Sequence, residues 1–275
     1  MLGIGSVVAR RSYKEDLFHI IIDFKKDGRH KKAVLKGVNY RLSADAFMED
    51  LVLKKEKELL YYSLADAQEV YKKMHKVIYD RKFQPEEEYF EIPGRILHLD
   101  GDKEYLEQCT KIYKQLGLQA KGICVTEKEQ PKVIGKMLIE NPTDILVLTG
   151  HDSMIKGKED YKSLDSYKCS HFFVDSVKEA RKVQPNKDSL VIFAGGCQSN
   201  FEAIIKAGAN FASSPKRMLI HALDPVFIVE SIAFTPIDRT VSIKEVLMHT
   251  VTGIDGVGGI ETRGQLRRGY PKIEC

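Results

Sequence analysis

The sequence predicts an α/β protein in which a mostly parallel sheet, with helices on both faces, follows a small β-barrel and a helical connector. Two observations lead to this prediction. After about residue 90, continuously apolar segments alternate with amphipathic helical segments, as expected of parallel strands buried on both sides. Before residue 55, short apolar segments follow one another with turn residues between them, which is typical of antiparallel strands.

The composition is that of an ordinary globular protein, with 275 residues, 43% hydrophobic and 30% charged. This length suits one large domain with a smaller one. The net charge of +4 is small and spread along the chain, so it gives no reason to expect binding to nucleic acid or to an anionic membrane. No apolar run approaches the roughly 20 residues of a membrane span, and the N-terminus lacks the pattern of a secretory signal.

The cysteines favour a reduced, cytoplasmic protein with a free thiol. Their number is odd, their spacing is irregular, and no CxxC occurs, so a disulfide framework or a structural zinc site is not expected. The five are Cys109, Cys124, Cys169, Cys197 and Cys275. We also find no metal-ligand cluster and no dinucleotide-binding fingerprint, and therefore expect no metal and no cofactor.

Residues 1–54 are predicted to form a small β-barrel of the SH3-like kind. Four apolar segments are the expected strands: 6–9, 17–24, 33–35 and 40–42. Asp27-Gly28, between the second and third, is a strong signal for a hairpin turn.

Residues 55–90 are predicted to form a helical connector. Apolar residues recur at spacings of three and four from Leu59 to Ile78, and charged residues fill the other face. The run from Pro85 to Glu88 then breaks the pattern, which places a domain boundary near residue 90.

Residues 91–275 are predicted to form the larger domain. The expected strands are 95–99, 118–126, 144–149 and 190–194, with a fifth beginning at 210–212. The expected helices are 103–116, 131–140, 172–182 and 200–207. In parallel sheets of this kind the functional site lies at the carboxyl ends of the strands, so these ends are the places to search for chemistry.

Two of the buried strands run directly into reactive side chains. The third strand is followed by Gly150-His151, and the fourth by Gly195-Gly196-Cys197. The 46 residues between His151 and Cys197 (197 − 151) make one helical crossover, so the two strands can be neighbours. The glycines allow a sharp turn and leave space for a substrate chain.

This pairing suits nucleophilic catalysis by a thiol. A free thiol has a pKa of about 8.5, so an adjacent imidazole is needed to take its proton at neutral pH. The helix that follows Cys197 is expected to add partial positive charge at the sulfur. The backbone N–H groups of Cys197 and Asp152 are the expected oxyanion donors. The sequence therefore predicts a cysteine peptidase with Cys197 as nucleophile and His151 as base.

The order of histidine and cysteine resembles that of caspase-like peptidases. More specifically, nearly the whole chain resembles the YabG family of sporulation-specific peptidases. The stretches that carry this resemblance are Leu97–Asp102, Leu148–Asp152, Val191–Ser199, Ala207–Pro215, Ile220–Pro225 and Gly258–Gly264. One departure from the caspase pattern is that Asp152, rather than glycine, follows the histidine, which leaves the second oxyanion donor open.

The resemblance implies a caspase-like fold and a cysteine endopeptidase made in the mother cell during sporulation. Its implied partners are protein substrates, namely spore-coat and cortex-associated proteins, and its location is the cytoplasm, with association with the forming spore coat. Cleavage after basic residues, mainly Arg, is also implied. Arg263, Arg267 and Arg268 are then candidate sites of self-cleavage.

Cleavage after Arg requires a buried carboxylate that can bind a guanidinium. Asp100 and Asp102, at the end of the first strand, are the first candidates, and Asp100 is preferred because Asp102 would equally suit the N-cap of the following helix. Asp152 and Asp224 are further candidates. The other residues expected to line the substrate cleft are Gly150, Gly195, Gly196, Ser213 and His221.

Two alternatives remain open at this point. In the first, Cys197 works with His221, in the Cys-then-His order of class I amidotransferase-like hydrolases. In the second, the chain is a non-catalytic binding protein on a flavodoxin-like sheet, with the barrel docking a partner. The sequence leaves the oligomeric state open.

Overall fold

A computed structural model describes residues 2–27, 30–82 and 89–271. Gly28 of the predicted turn, the run from Pro85 to Glu88, and Cys275 lie outside these ranges. Within them, no helix is long and apolar enough to cross a membrane.

The N-terminal strands form one antiparallel sheet in the order β4-β3-β2-β1-β5. They are β1 (Val7–Arg10), β2 (His19–Asp27), β3 (His30–Gly37), β4 (Ser43–Phe47) and β5 (Leu51–Leu53). A 3-10 turn, Met48–Asp50, joins β4 to β5. The antiparallel sheet expected of residues 1–54 is therefore present, and its likeness to an SH3 barrel stays a prediction. The sheet buries a small apolar core made of Val8, Ile21, Ala33, Leu35, Ala46 and Leu51.

The predicted strand at residues 40–42 is wrong. These residues lie in the loop between β3 and β4, and they form isolated bridges with the larger domain: Tyr40 with His221, and Leu42 with Asp152. The β-like composition of these residues therefore reflects their bridges to His221 and Asp152, outside the N-terminal sheet.

The connector is a single long helix, α1 (Glu56–Lys82), followed by the short strand β6 (Phe90–Ile92). Val70 and Val77, in its second half, are buried in the core of the larger domain. In its first half Leu60 is 58% exposed and Leu64 is 50% exposed, so the predicted apolar stripe is buried only along part of its length.

The larger domain contains a six-stranded sheet in the order β8-β7-β9-β10-β11-β12. Its strands are β7 (Ile96–Asp100), β8 (Ala120–Cys124), β9 (Ile145–Thr149), β10 (Val191–Ala194), β11 (Phe211–Ser213) and β12 (Val257–Gly259). The first five are parallel, whereas β12 is antiparallel to β11 at the edge. This largely parallel sheet confirms the α/β architecture that the sequence predicted. The last strand, β13 (Arg267–Gly269), pairs with β6, so Arg267 and Arg268 lie in a small two-stranded sheet.

Helices cover both faces of this sheet. They are α2 (Lys103–Gln115), α3 (Gln130–Glu140), α4 (Ser170–Val183), α5 (Phe201–Ala207), α6 (Asp224–Phe234) and α7 (Ile243–His249). One core layer holds Tyr113, Phe193 and Phe227, and the other holds Phe173 and Ile192. The sequence did not reveal α6, because a helix buried on nearly all sides has no amphipathic period.

One buried carboxyl lies between α6 and the connector. Glu230 is 2% exposed, and its Oε1 lies 3.3 Å from Nε of Arg81 on α1. Burial raises the pKa of Glu230 to about 7, although the charge of Arg81 opposes this shift.

This carboxyl should make stability depend on pH. Because the pKa of Glu230 is higher in the folded than in the unfolded chain, the free energy of unfolding should fall as pH rises from 4.5 to about 7. The full effect is about 3 kcal/mol. Glu230→Gln should remove this part of the pH dependence, as urea denaturation at pH 5 and pH 8 would measure. Glu140→Gln, on the exposed side of α3, is the matched control, and the same pH dependence in both variants would contradict the prediction.

Candidate active site

The turns after β9 and β10 pack directly against each other. The two strands pair in parallel, with Ala194 opposite Leu148. A Cβ placed on Gly196 would lie 2.5 Å from the carbonyl oxygen of Gly150 and 3.2 Å from the backbone nitrogen of Asp152. His151 and Cys197 therefore lie on two turns in contact at one edge of the sheet.

The turn that carries Cys197 depends on its two glycines. Gly195 has a φ of +117°, and a Cβ there would lie 2.3 Å from Oγ of Ser213. Ser213 is buried and donates a hydrogen bond to the carbonyl oxygen of Gly196 at 2.8 Å. Gly195 and Ser213 thus shape the turn, and Gly196 allows the neighbouring turn to approach. The predicted contact of these residues with substrate stays a prediction.

Cys197 is 0% exposed. Its Sγ lies 3.4 Å from the backbone nitrogen of Ile220, which donates to it, and 3.6 Å from the carbonyl oxygen of the same residue. Burial raises the pKa of the Cys197 thiol to about 12, so in this arrangement the sulfur is protonated at neutral pH. The expected contribution of a helix N-terminus is not seen, because α5 begins only at Phe201, after the N-cap Asn200.

His151 is held by a carboxylate. Its Nε2 lies 2.9 Å from Oδ2 of Asp102, while its Nδ1 is buried without a hydrogen-bond partner among the described residues. Nδ1 is thus the nitrogen that remains available to exchange a proton with a thiol.

Asp102 therefore has a role other than the expected reading of substrate. It caps α2, accepting from the backbone nitrogen of Glu104 at 3.0 Å, and it binds Nζ of Lys36 of the barrel at 2.7 Å. Burial favours protonation, but hydrogen bonds from His151 and Lys36 outweigh it and hold the pKa of Asp102 below its usual range. The N-cap pattern was visible in the sequence, whereas the contact with His151, 49 residues away, was not.

Glu127 supports the other side of the histidine turn. Its Oε1 accepts a hydrogen bond from the backbone nitrogen of His151 at 2.6 Å. Its carboxylate also lies across Gly101 and Gly150, where a Cβ would come within 2.3 and 2.2 Å of Oε1. Gly150 is therefore needed for this close approach rather than for the expected contact with substrate. No motif in the sequence pointed to Glu127.

The ring nitrogens of His221 are both engaged away from the thiol. Its Nε2 lies 2.8 Å from Oδ1 of Asp66 on α1, and its Nδ1 accepts from the backbone nitrogen of Leu223 at 3.2 Å. Neither nitrogen is free to act as a base for Cys197, which removes the geometric basis of the amidotransferase-like alternative.

Asp224 and Asp152 are buried carboxylates whose oxygens accept hydrogen bonds from this chain, and their predicted contact with substrate stays a prediction. Asp224 accepts from the backbone nitrogens of Val251 and Thr252 at 2.7 and 3.1 Å, and burial raises its pKa. The side chain of Asp152 accepts from Oγ of Ser199 at 2.8 Å, which ties the histidine turn to the cysteine turn, and burial raises its pKa as well. The backbone N–H of Asp152 stays the predicted oxyanion donor.

Asp100 does bind a guanidinium, and that guanidinium belongs to this chain. Asp100 and Arg41 form an ion pair in which both side chains are 0% exposed. Burial favours protonation of Asp100, but the charge of Arg41, together with His98 and the backbone N–H of Asp102, holds its pKa below the usual range. Oγ1 of Thr149, at 2.9 Å, is a further donor to the Asp100 carboxylate. A substrate could reach Asp100 only after Arg41 had left.

Within residues 2–27, 30–82 and 89–271, no three His, Cys, Asp or Glu side chains come together in a way that could hold a metal ion.

The molecule is thus an α/β protein whose largely parallel sheet carries a histidine after its third strand along the chain and a cysteine after its fourth. The family described as YabG peptidase U57 matches residues 3–271. The chain is also 43% identical over 282 residues to the sporulation-specific protease YabG of Bacillus subtilis (strain 168), across 98% of this chain and 97% of that protein. The chain therefore belongs to the YabG peptidase U57 family and is a sporulation-associated protease.

The contact between the two turns can be tested by adding one methyl group. Gly196→Ala should destabilise the protein by about 1–3 kcal/mol, because the new Cβ would meet the carbonyl oxygen of Gly150 and force the turns apart. Gly135→Ala in α3 is the matched control, since a Cβ there meets only Val183, at 4.0 Å, and alanine favours a helix. Thermal unfolding would measure both, and an unchanged melting temperature for Gly196→Ala would contradict the proposed close contact.

Proposed function

We propose that the protein is a cysteine endopeptidase in which Cys197 is the nucleophile, His151 the general base and acid, and Asp102 the residue that positions His151. One observation carries this proposal: His151 is fixed through Nε2 to Asp102, has Nδ1 without a partner, and lies on a turn packed against that of Cys197.

The reaction follows from these positions. Nδ1 of His151 takes the thiol proton, and the thiolate of Cys197 attacks the carbonyl carbon of the scissile bond. The backbone N–H groups of Cys197 and Asp152 are the expected donors to the resulting oxyanion. When the C–N bond breaks, His151 returns its proton to the leaving amine. Water, deprotonated by His151, then hydrolyses the thioester, which releases a carboxylate product and restores the thiol.

We further propose that the enzyme cleaves after Arg and that Asp100 reads this side chain. The pocket that Arg41 fills has a buried carboxylate and the carbonyl oxygen of Ala222, 3.1 Å from Nη2. The ring of Tyr105, 5.1 Å from the guanidinium carbon, forms one side. This set of an anion, a carbonyl acceptor and an aromatic face suits a guanidinium.

The proposed substrates are proteins of the spore coat and cortex, and the proposed location is the mother-cell cytoplasm with the forming coat. The name of the Bacillus subtilis relative supports the setting in sporulation. The alternative of a non-catalytic binding protein would explain neither the membership of a peptidase family nor the hydrogen bonding around His151.

The dyad is tested by cleavage of a short peptide reporter that contains one Arg. Cys197→Ala and His151→Ala should abolish turnover, because the first removes the thiol that attacks the scissile carbonyl and the second removes the imidazole that transfers the proton. His221→Ala should retain activity and is the matched histidine control. Turnover by His151→Ala together with loss in His221→Ala would instead favour the amidotransferase-like geometry.

The role of Asp102 is tested by Asp102→Asn, which keeps an N-cap for α2 and leaves the fold intact. Without the carboxylate the imidazole loses its fixed orientation, so kcat should fall by roughly 100-fold with little change in KM. Glu104→Gln is the control, because Glu104 shares the ion pair with Lys36 but makes no contact with His151. A rise in KM with unchanged kcat would assign Asp102 to substrate binding.

A further inference from the structure

The loop between β3 and β4, residues 38–42, lies in the cleft above Cys197. Tyr40 pairs antiparallel with His221 on one wall, and the carbonyl oxygen of Asn39 accepts from the backbone nitrogen of Ala222 at 2.9 Å. Leu42 pairs with Asp152 on the other wall. The backbone of the loop therefore spans the two segments that flank the nucleophile.

The backbone of this loop pairs with the cleft walls in the way that a bound peptide would. Extended peptides bind by adding their backbone to an exposed strand edge, while alternate side chains fill pockets. The wall that pairs with the loop contains Ile220, whose backbone contacts the thiol of Cys197. The charge and the backbone N–H of Arg41 both oppose the burial that raises the pKa of the Cys197 thiol.

The side chain of Arg41 enters the pocket assigned above to a substrate arginine. It is 0% exposed, and its guanidinium meets the Asp100 carboxylate and the carbonyl oxygen of Ala222. The hydroxyl of Tyr105 lies within hydrogen-bond distance of the carbonyl oxygens of Gly37 and Tyr40, to which its single proton can be donated or shared, and this contact anchors the base of the loop. Nε of Arg41 has no hydrogen-bond partner among the described residues, so the fit is incomplete, which favours exchange.

We propose that residues 38–42 are a built-in competitor of the substrate: Arg41 occupies the pocket that receives the substrate arginine, and the loop must leave before a protein can reach Cys197. This inference rests on the peptidase function proposed above and adds its regulation. It requires no covalent step.

The loop has features of an inhibitor rather than of a good substrate. The backbone nitrogen of Leu42 donates to the carbonyl oxygen of Tyr40 at 2.7 Å, so the chain bends at Arg41 instead of continuing in an extended form. Because the loop is tethered to the same molecule, it competes at an effective concentration of roughly millimolar. It should therefore raise the apparent KM by the inverse of the open fraction and leave kcat unchanged.

Occlusion is measured without turnover, by alkylating the folded protein with iodoacetamide and following the peptide that contains Cys197 by mass spectrometry. Arg41→Gln should be alkylated about tenfold faster than wild type, because it loses the ion pair that holds the loop. Arg41→Lys keeps a cation for Asp100 and should be alkylated about threefold faster, even if Arg41→Gln fails to fold. Arg10→Gln is the matched control, since Arg10 pairs with Asp50 in the same barrel, outside the cleft.

Competition is measured with the Arg reporter peptide. KM should fall about tenfold in Arg41→Gln and about threefold in Arg41→Lys, in step with the alkylation rates, while kcat stays within about twofold of wild type. The peptide acetyl-Val-Asn-Tyr-Arg-Leu-amide, which copies residues 38–42, should inhibit reporter cleavage competitively, and the same peptide with Gln in place of Arg should not.

The two measurements separate this inference from the proposed function. Equal alkylation of Cys197 in wild type and in folded Arg41→Lys would overturn the role of the loop, whatever the reporter assay gives. Faster alkylation without cleavage of any reporter would support occlusion by the loop and contradict the peptidase activity assigned to Cys197. A lower kcat with unchanged KM in the Arg41 variants would mark Arg41 as purely structural and would also overturn the inference.

Discussion

The Asp100 carboxylate, buried at the end of β7, is the constraint on which the cleft depends. A charge taken fully out of water is stable only beside an opposite charge with satisfied hydrogen bonds. Thr149 and the backbone nitrogen of Asp102 donate to this carboxylate at 2.9 Å each, and the guanidinium of Arg41 neutralises it directly. The cleft is therefore built around a position for a cation, and the β3–β4 loop supplies that cation from within the chain.

The same edge of the sheet connects the barrel to His151, the proposed general base. Lys36 of β3 and His151 both bind Asp102, two residues after Asp100. The ammonium group of Lys36 thus restrains the carboxylate of Asp102, which in turn restrains the imidazole of His151. Arg41 lies in the loop that follows β3, so the N-terminal barrel contributes to the position of His151 and also fills the pocket around Asp100. The barrel is therefore part of the proposed active-site structure and not an independent module.

The sequence predicted the parts of this arrangement that depend on local pattern. Apolar runs identified β7, β9 and β10, and the residues just beyond two of these strands pointed to His151 and Cys197. It did not predict the contacts made across long stretches of chain: Arg41 is 59 residues from Asp100, and Asp102 is 49 residues from His151. No periodicity or motif reports such contacts. The β-like residues 40–42 were assigned to the barrel for the same reason, because their pairing partners lie in the other domain.

The burial of Asp100 also decides which states of the cleft can be populated. Breaking a buried ion pair by removing one partner costs about 3–5 kcal/mol, so an open and empty pocket is unfavourable. An arginine from a bound protein would restore the pair that the departing Arg41 gives up, whereas a neutral side chain would not. In the proposed mechanism the same loop covers the thiol of Cys197, so this thiol would become accessible chiefly when a cation replaces Arg41. The proposed selectivity for Arg and the proposed protection of the thiol would then both follow from one buried charge.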